Sequence, residues 1–145
     1  MPVVNLFKYK VWLDILTGCP PLEYVEVAIQ AFRFVHSAGH PDNFKPVQLL
    51  NPARKFENQD IQCKALGISM FDDKNTARLF FKKRSAKAPL FGKIVGFQIA
   101  TFTITVDDGV ASDPEQNNFG HFTFHEYIWG DFQQKIENIE PILST

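Results

Sequence analysis

The chain has 145 residues, 45% of them apolar, with 15 basic and 16 acidic side chains and two cysteines. That size suits one domain around one core, a net charge of −1 offers no general attraction for nucleic acid, and no apolar run is long enough to span a bilayer. Lysines break the N-terminal apolar stretch, so no signal peptide is expected, and two cysteines without metal-ligand spacing are too few for a disulfide scaffold, so a reducing cytoplasm is the expected location.

The charges are segregated along the chain. Residues 1–63 carry six basic and six acidic groups, residues 64–93 eight and two, and residues 94–145 one and eight. A basic segment followed by an acidic one can pair within the fold, bind an anion or a protein partner, or join copies head to tail as a homo-oligomer.

In chain order, the first twenty residues read as a strand or short irregular arm, ended by Gly18-Cys19-Pro20-Pro21. Residues 25–36 alternate Val25, Val27, Ile29 and Ala31 against polar neighbours and then turn Phe32 and Phe34 inward, which predicts a strand with a bulge. Residues 37–46 are a loop, 47–50 a short strand or turn, and 51–60 another loop. Residues 61–71 read as a second strand interrupted by Gly67, after which Asp72 or Asp73 caps a helix with Ala77, Phe80 and Phe81 on its inner side and Lys82, Lys83 and Arg84 in its last turn. Beyond a loop, residues 93–106 carry the longest β pattern, residues 107–119 a loop, residues 120–129 a strand, and the stretch KIENIEPI a last one. The expected fold is α+β, a mostly β mixed sheet with one or two short helices in a single domain.

Three groupings carry chemistry. Arg33 with His36 on the first long strand can fork hydrogen bonds onto a phosphate or carboxylate. Gly67 permits close backbone approach beside the hydroxyl of Ser69, just before a helix N-terminus whose aspartates disfavour a phosphate. On 121–127, His121, Thr123, His125 and Tyr127 share one strand face, whereas Glu126 points with the Phe residues and must be paired or have a raised pKa. His121 and His125 stand about 13 Å apart on one strand, too far to share a metal, and no metal is predicted. The His121-x-Thr123 element has no second copy, and no P-loop, dinucleotide, zinc or serine-hydrolase motif is present.

Taken together, AFRFVH with Arg33, GISMFDDKNTARLFF with Ser69 and HFTFHEY with Glu126 resemble the ADP-ribosyltransferase superfamily, especially its small bacterial toxin-like members, across residues 33–126. The chain has one Ser69 where that family often shows a triplet, and Phe124 two residues before Glu126. The resemblance implies NAD as substrate and cleavage of its nicotinamide–ribose bond. Catalytic roles would then fall to Glu126, Arg33 and Ser69, with Arg33, His36 and Gly67 at the dinucleotide. As a whole the chain also resembles small bacterial proteins, a likeness that implies no activity. The contrasting expectation is a non-catalytic binding module that acts through basic residues 82–93 or the acidic C-terminal third.

Overall fold

The computed structural model describes residues 6–143, and its centre is one six-stranded sheet in the order β4-β5-β2-β1-β3-β6. The elements run α1 (Lys10–Ile15), β1 (Ile29–Val35), α2 (Val47–Leu50), α3 (Gln59–Ala65), β2 (Ile68–Phe71), α4 (Lys74–Lys87), α5 (Phe91–Val95), β3 (Gln98–Ile104), β4 (Gly109–Ala111), β5 (His121–Glu126) and β6 (Ile136–Pro141). The architecture is α+β and mostly sheet. Where a mixed sheet with one or two helices was expected, every strand pairing is antiparallel and five short helices surround it.

The central strands are covered on both sides, and this explains the uneven pattern of β1. Its Ala31 and Val35 face one core, with Met70, Phe102, Phe122, Phe124, Phe44 and Phe132. Phe32 and Phe34 face the other, with Phe71, Ile99 and the α4 residues Ala77 and Phe81. Alternation thus places apolar side chains in two cores, and the register of β1 against β3 runs unbroken from Ile29↔Ile104 to Val35↔Gln98 without the expected bulge. Phe residues dominate both layers, with tilted or edge-on ring pairs such as Phe34–Phe81 and Phe102–Phe132.

Several local expectations change. Residues 10–15 form a helix rather than a strand or irregular arm, and among the described residues of this first segment Phe7 makes an isolated bridge, to Tyr127. The strand expected over 61–71 begins at Ile68, because Asn58 caps α3 by accepting from the Ile61 N–H and Gly67 then lets the chain turn against β5. A Cβ on Gly67 would stand 2.7 Å from Thr123 Cγ2 and 2.9 Å from the Phe124 carbonyl. Residues 47–50 form a helical turn, 91–95 a helix and 109–111 a strand inside an expected loop. Helix α4 is as expected at its start, where the Asp73 carboxylate accepts from the Thr76 N–H, but it runs on to Lys87.

Part of the charge segregation is satisfied inside the fold. The Glu140 carboxylate on β6 takes Lys74 at 2.5 Å and Arg78 at 3.2 Å, joining the acidic C-terminal third to the basic helix. No helix among the described residues is long and apolar enough to cross a membrane.

Cys19 and Cys63 are bonded to each other across 44 residues. This corrects the expectation drawn from cysteine count: one bridge is too few for a scaffold but serves here to tie the loop after α1 to α3, within a third core formed with Leu13, Leu16, Leu66 and Val110. In the chain-entropy account, closing such a loop stabilises the fold by roughly 4 kcal/mol.

Candidate functional site: a cationic cleft between α3 and α4

Strands β1 and β2 pair at Phe32↔Phe71 alone, whereas β2 continues against β5 over four residue pairs. The two strands diverge toward residues 33–36 and 67–69. Helices α3 and α4 lie on either side of this opening and leave a cleft of about 370 Å³ over it, within the range of small-molecule sites.

Arg33 stands at the bottom. Its Nε donates to the Asn43 carbonyl at 2.7 Å and one terminal nitrogen donates to the Ser69 carbonyl at 2.7 Å, so the guanidinium bridges the gap that the strands leave. Burial pulls its pKa down to about 10, with Glu126 and Tyr9 opposing, so it keeps its charge at neutral pH. Asn43 is itself buried: its amide accepts from the His36 N–H and donates to the Ser37 carbonyl, which holds the 37–43 loop beside the cleft.

The walls combine aromatic rings and cations. Phe34, Phe71, Phe80 and Phe91 supply flat apolar surface, and Lys45, Lys64 and Arg84 add three cations to Arg33, against a single carboxylate, Asp42. That carboxylate lies 3.6 Å from Lys45. Arg84 stacks over Phe80 and Phe91, at 5.2 and 5.9 Å from the ring centres, which aims its charge across the mouth. His121 completes the floor. Its buried Nδ1 has no hydrogen-bond partner and stands 3.7 Å from the Glu115 carboxylate, and desolvation holds the imidazole pKa below its ordinary value against the pull of Glu115.

Five of the residues singled out from sequence, Arg33, His36, Gly67, Ser69 and His121, line this cleft. Glu126 does not. It lies at the far end of β5 with its side chain 4% exposed, 3.0 Å from the Lys8 ammonium. It therefore meets both halves of its sequence expectation, being paired and, through desolvation outweighing Lys8 and Arg33, raised in pKa. His125 shares the His121 face, as alternation predicts, but packs against Cys63 and Tyr24 instead of entering the cleft.

Comparison with protein-family models, curated proteins and solved structures finds no match to this chain. The site must be read from its own chemistry.

Sequence reasoning missed Lys45, Lys64 and Phe91 as parts of one site. Their one local signal was the excess of cations over residues 64–93, which includes Lys64 and Arg84. An adjoining hollow shares Phe80, Arg84 and Asn118 with the cleft and adds Lys83 and Lys87, so the basic stretch read from 82 onward forms an extension of the mouth.

Proposed function

We propose that the cleft binds a small organic anion with a flat apolar part, of the nucleotide or organic-phosphate class. The observation that carries this is the pairing of a guanidinium held in place by two backbone carbonyls with four aromatic rings and three further cations around one hollow. Cations in a partly dry cleft attract phosphate far more strongly than on an open surface, and Arg33 enters binding already oriented, which lowers the ordering cost of association. The anionic group sits toward Arg33 and Lys64, and the planar part lies against the aromatic surface made by Phe34, Phe80 and Phe91.

The narrower reading, in which the ligand is NAD and its nicotinamide–ribose bond is cleaved, draws support from Arg33, His36, Gly67 and Ser69 sharing the cleft. The carboxylate that reading requires, Glu126, is engaged by Lys8 outside it. Binding without chemistry is therefore the form we favour, and a protein partner or second copy on the basic 82–93 face is compatible with it.

The test is thermal stabilisation across a panel of NAD, ADP-ribose, adenosine monophosphate and uncharged adenosine. A ligand at 100 times its Kd adds about 2.7 kcal/mol to stability. We expect stabilisation by the charged members, its loss with added salt, and its loss in Arg84→Met. No stabilisation by any phosphate compound, or equal effects from adenosine, would refute the reading. Nicotinamide release above that of Glu126→Gln would favour the enzymatic form.

A further inference from the structure

Away from the cleft, on the other side of α3, Cys19, Cys63 and His125 arrive from the loop after α1, from α3 and from β5. Their sulfurs and one imidazole nitrogen lie within 4.8 Å of one another. All three residues are buried, with 4%, 6% and 3% of their surface exposed. His125 Nε2 stands 4.0 Å from the Cys63 sulfur, and a Cβ on Gly67 would lie 3.1 Å from the same nitrogen, so the glycine leaves the ring its space.

A structural disulfide has no need of an imidazole beside it. Sulfur is a weak acceptor, so a buried ring aimed at a disulfide recovers little of what its desolvation costs. Two thiolates and a neutral imidazole are the donor set of tetrahedral zinc sites with one open position. At Zn–S of about 2.3 Å and Zn–N of about 2.0–2.1 Å, tetrahedral donors stand roughly 3.5–3.8 Å from one another. The imidazole nitrogen already stands near that spacing, 4.0 Å from the Cys63 sulfur, whereas the two sulfurs, bonded to each other, must part once reduced. A hollow of about 230 Å³ lined by Cys19, Tyr24 and Val110 reaches one member of the cluster, Cys19, and offers an entry path from that side.

We propose that in the reduced chain Cys19, Cys63 and His125 form a buried Cys2His site for a divalent cation of the Zn2+ class, and that the Cys19–Cys63 disulfide is its closed, metal-free state. A dithiol reductant supplies two electrons and two protons, is itself oxidised to a disulfide, and leaves two thiols in the protein. Binding of the cation then releases both thiol protons, forms two metal–thiolate bonds and one metal–imidazole bond, and changes no oxidation state. In the reverse direction a disulfide oxidant takes two electrons from the two metal-bound thiolates and two protons from water, leaves as a dithiol, and the re-formed Cys19–Cys63 bond expels the cation. The site is thus a redox-gated one, independent of whether the cleft takes an anion.

The test is an anaerobic titration of the full chain with Co2+, a spectroscopic stand-in for Zn2+. Reduction uses a phosphine, which becomes a phosphine oxide with oxygen from water and does not compete for metal. The reduced protein should bind one Co2+ per chain with a thiolate-to-metal charge-transfer band that Zn2+ abolishes, and the oxidised protein should show no band. His125→Gln should weaken binding by more than the roughly 10–100-fold that loss of a supporting second-shell group costs, while Cys63→Ser should remove the band. If reduction loosens the fold, restoration of the native circular dichroism by Zn2+ would support the site equally. A reduced chain that shows no charge-transfer band, whether folded or unfolded and not restored by metal, would overturn the proposal, as would a band unaffected by His125→Gln.

Discussion

Replacing Lys8 by Met separates the two sides of a buried ion pair, and the two partners should respond unequally. The Glu126 side chain is 4% exposed and that of Lys8 27%, so Lys8 can turn to water when alone whereas Glu126 cannot. Removing one partner from a buried pair typically costs about 3–5 kcal/mol because the other charge stays desolvated. With the lysine at the rim, about 3 kcal/mol is expected for Lys8→Met, a fall of roughly 6–12 °C in Tm for a chain of this size. Glu126→Gln keeps the shape and an acceptor for Lys8 while removing the buried charge, so its effect should stay within about 1 kcal/mol. The double variant should recover about 2 kcal/mol of the Lys8→Met loss. Acidity provides an independent check. Desolvation raises the Glu126 pKa in the folded chain, so the native state holds this proton to higher pH than the unfolded chain does. Its contribution to stability therefore falls as pH rises from the ordinary carboxylate value through the folded one, and returns on acidification. The Lys8→Met deficit should shrink as pH is lowered toward roughly 4. Urea denaturation of the oxidised protein, read at unchanged slope, measures all of this. Equal losses in Lys8→Met and Glu126→Gln, or a deficit insensitive to pH, would mean that Glu126 is solvated as an ordinary carboxylate and that the reasoning is wrong.

Two further outcomes follow from the same structure. Asp73→Ala removes the acceptor for the Thr76 N–H at the start of α4 and should cost about 1 kcal/mol, with Asp73→Asn largely restoring it in thermal denaturation. Gly67→Ala forces a methyl group onto Thr123, the Phe124 carbonyl and His125 and should destabilise by about 1–3 kcal/mol; a neutral result would show that the α3–β2 turn can move away from β5.

The local content of the chain was legible. Alternating β-branched and aromatic residues predicted β3, β5 and β6, and the aspartates at 72 and 73 announced the start of α4, because strand pairing faces and helix caps depend on neighbours within a few residues. Glu126 on an apolar strand face was recognisable as a carboxylate in need of a partner for the same reason. Residues 61–65 were misread as strand because the cap at Asn58 is a single side chain whose effect outweighs a weak apolar pattern. The bulge assigned to β1 arose from reading one core where the strand has one on each face.

What the sequence could not disclose is every juxtaposition made at a distance. Lys8 meets Glu126 across 118 residues, Arg33 meets the Ser69 carbonyl across 36, and Cys19, Cys63 and His125 meet only once α1, α3 and β5 are packed. None of these residues has a signature at the spacing that chemistry requires, since the spacing is created by strand order and by the parting of β1 from β2. Composition and periodicity determined an α+β chain with a basic helix and a buried acid. Only the tertiary structure decided that the basic helix borders a cleft, that the acid lies outside it, and that two distant cysteines share a core with a histidine, because packing brings together groups that local sequence preference leaves apart.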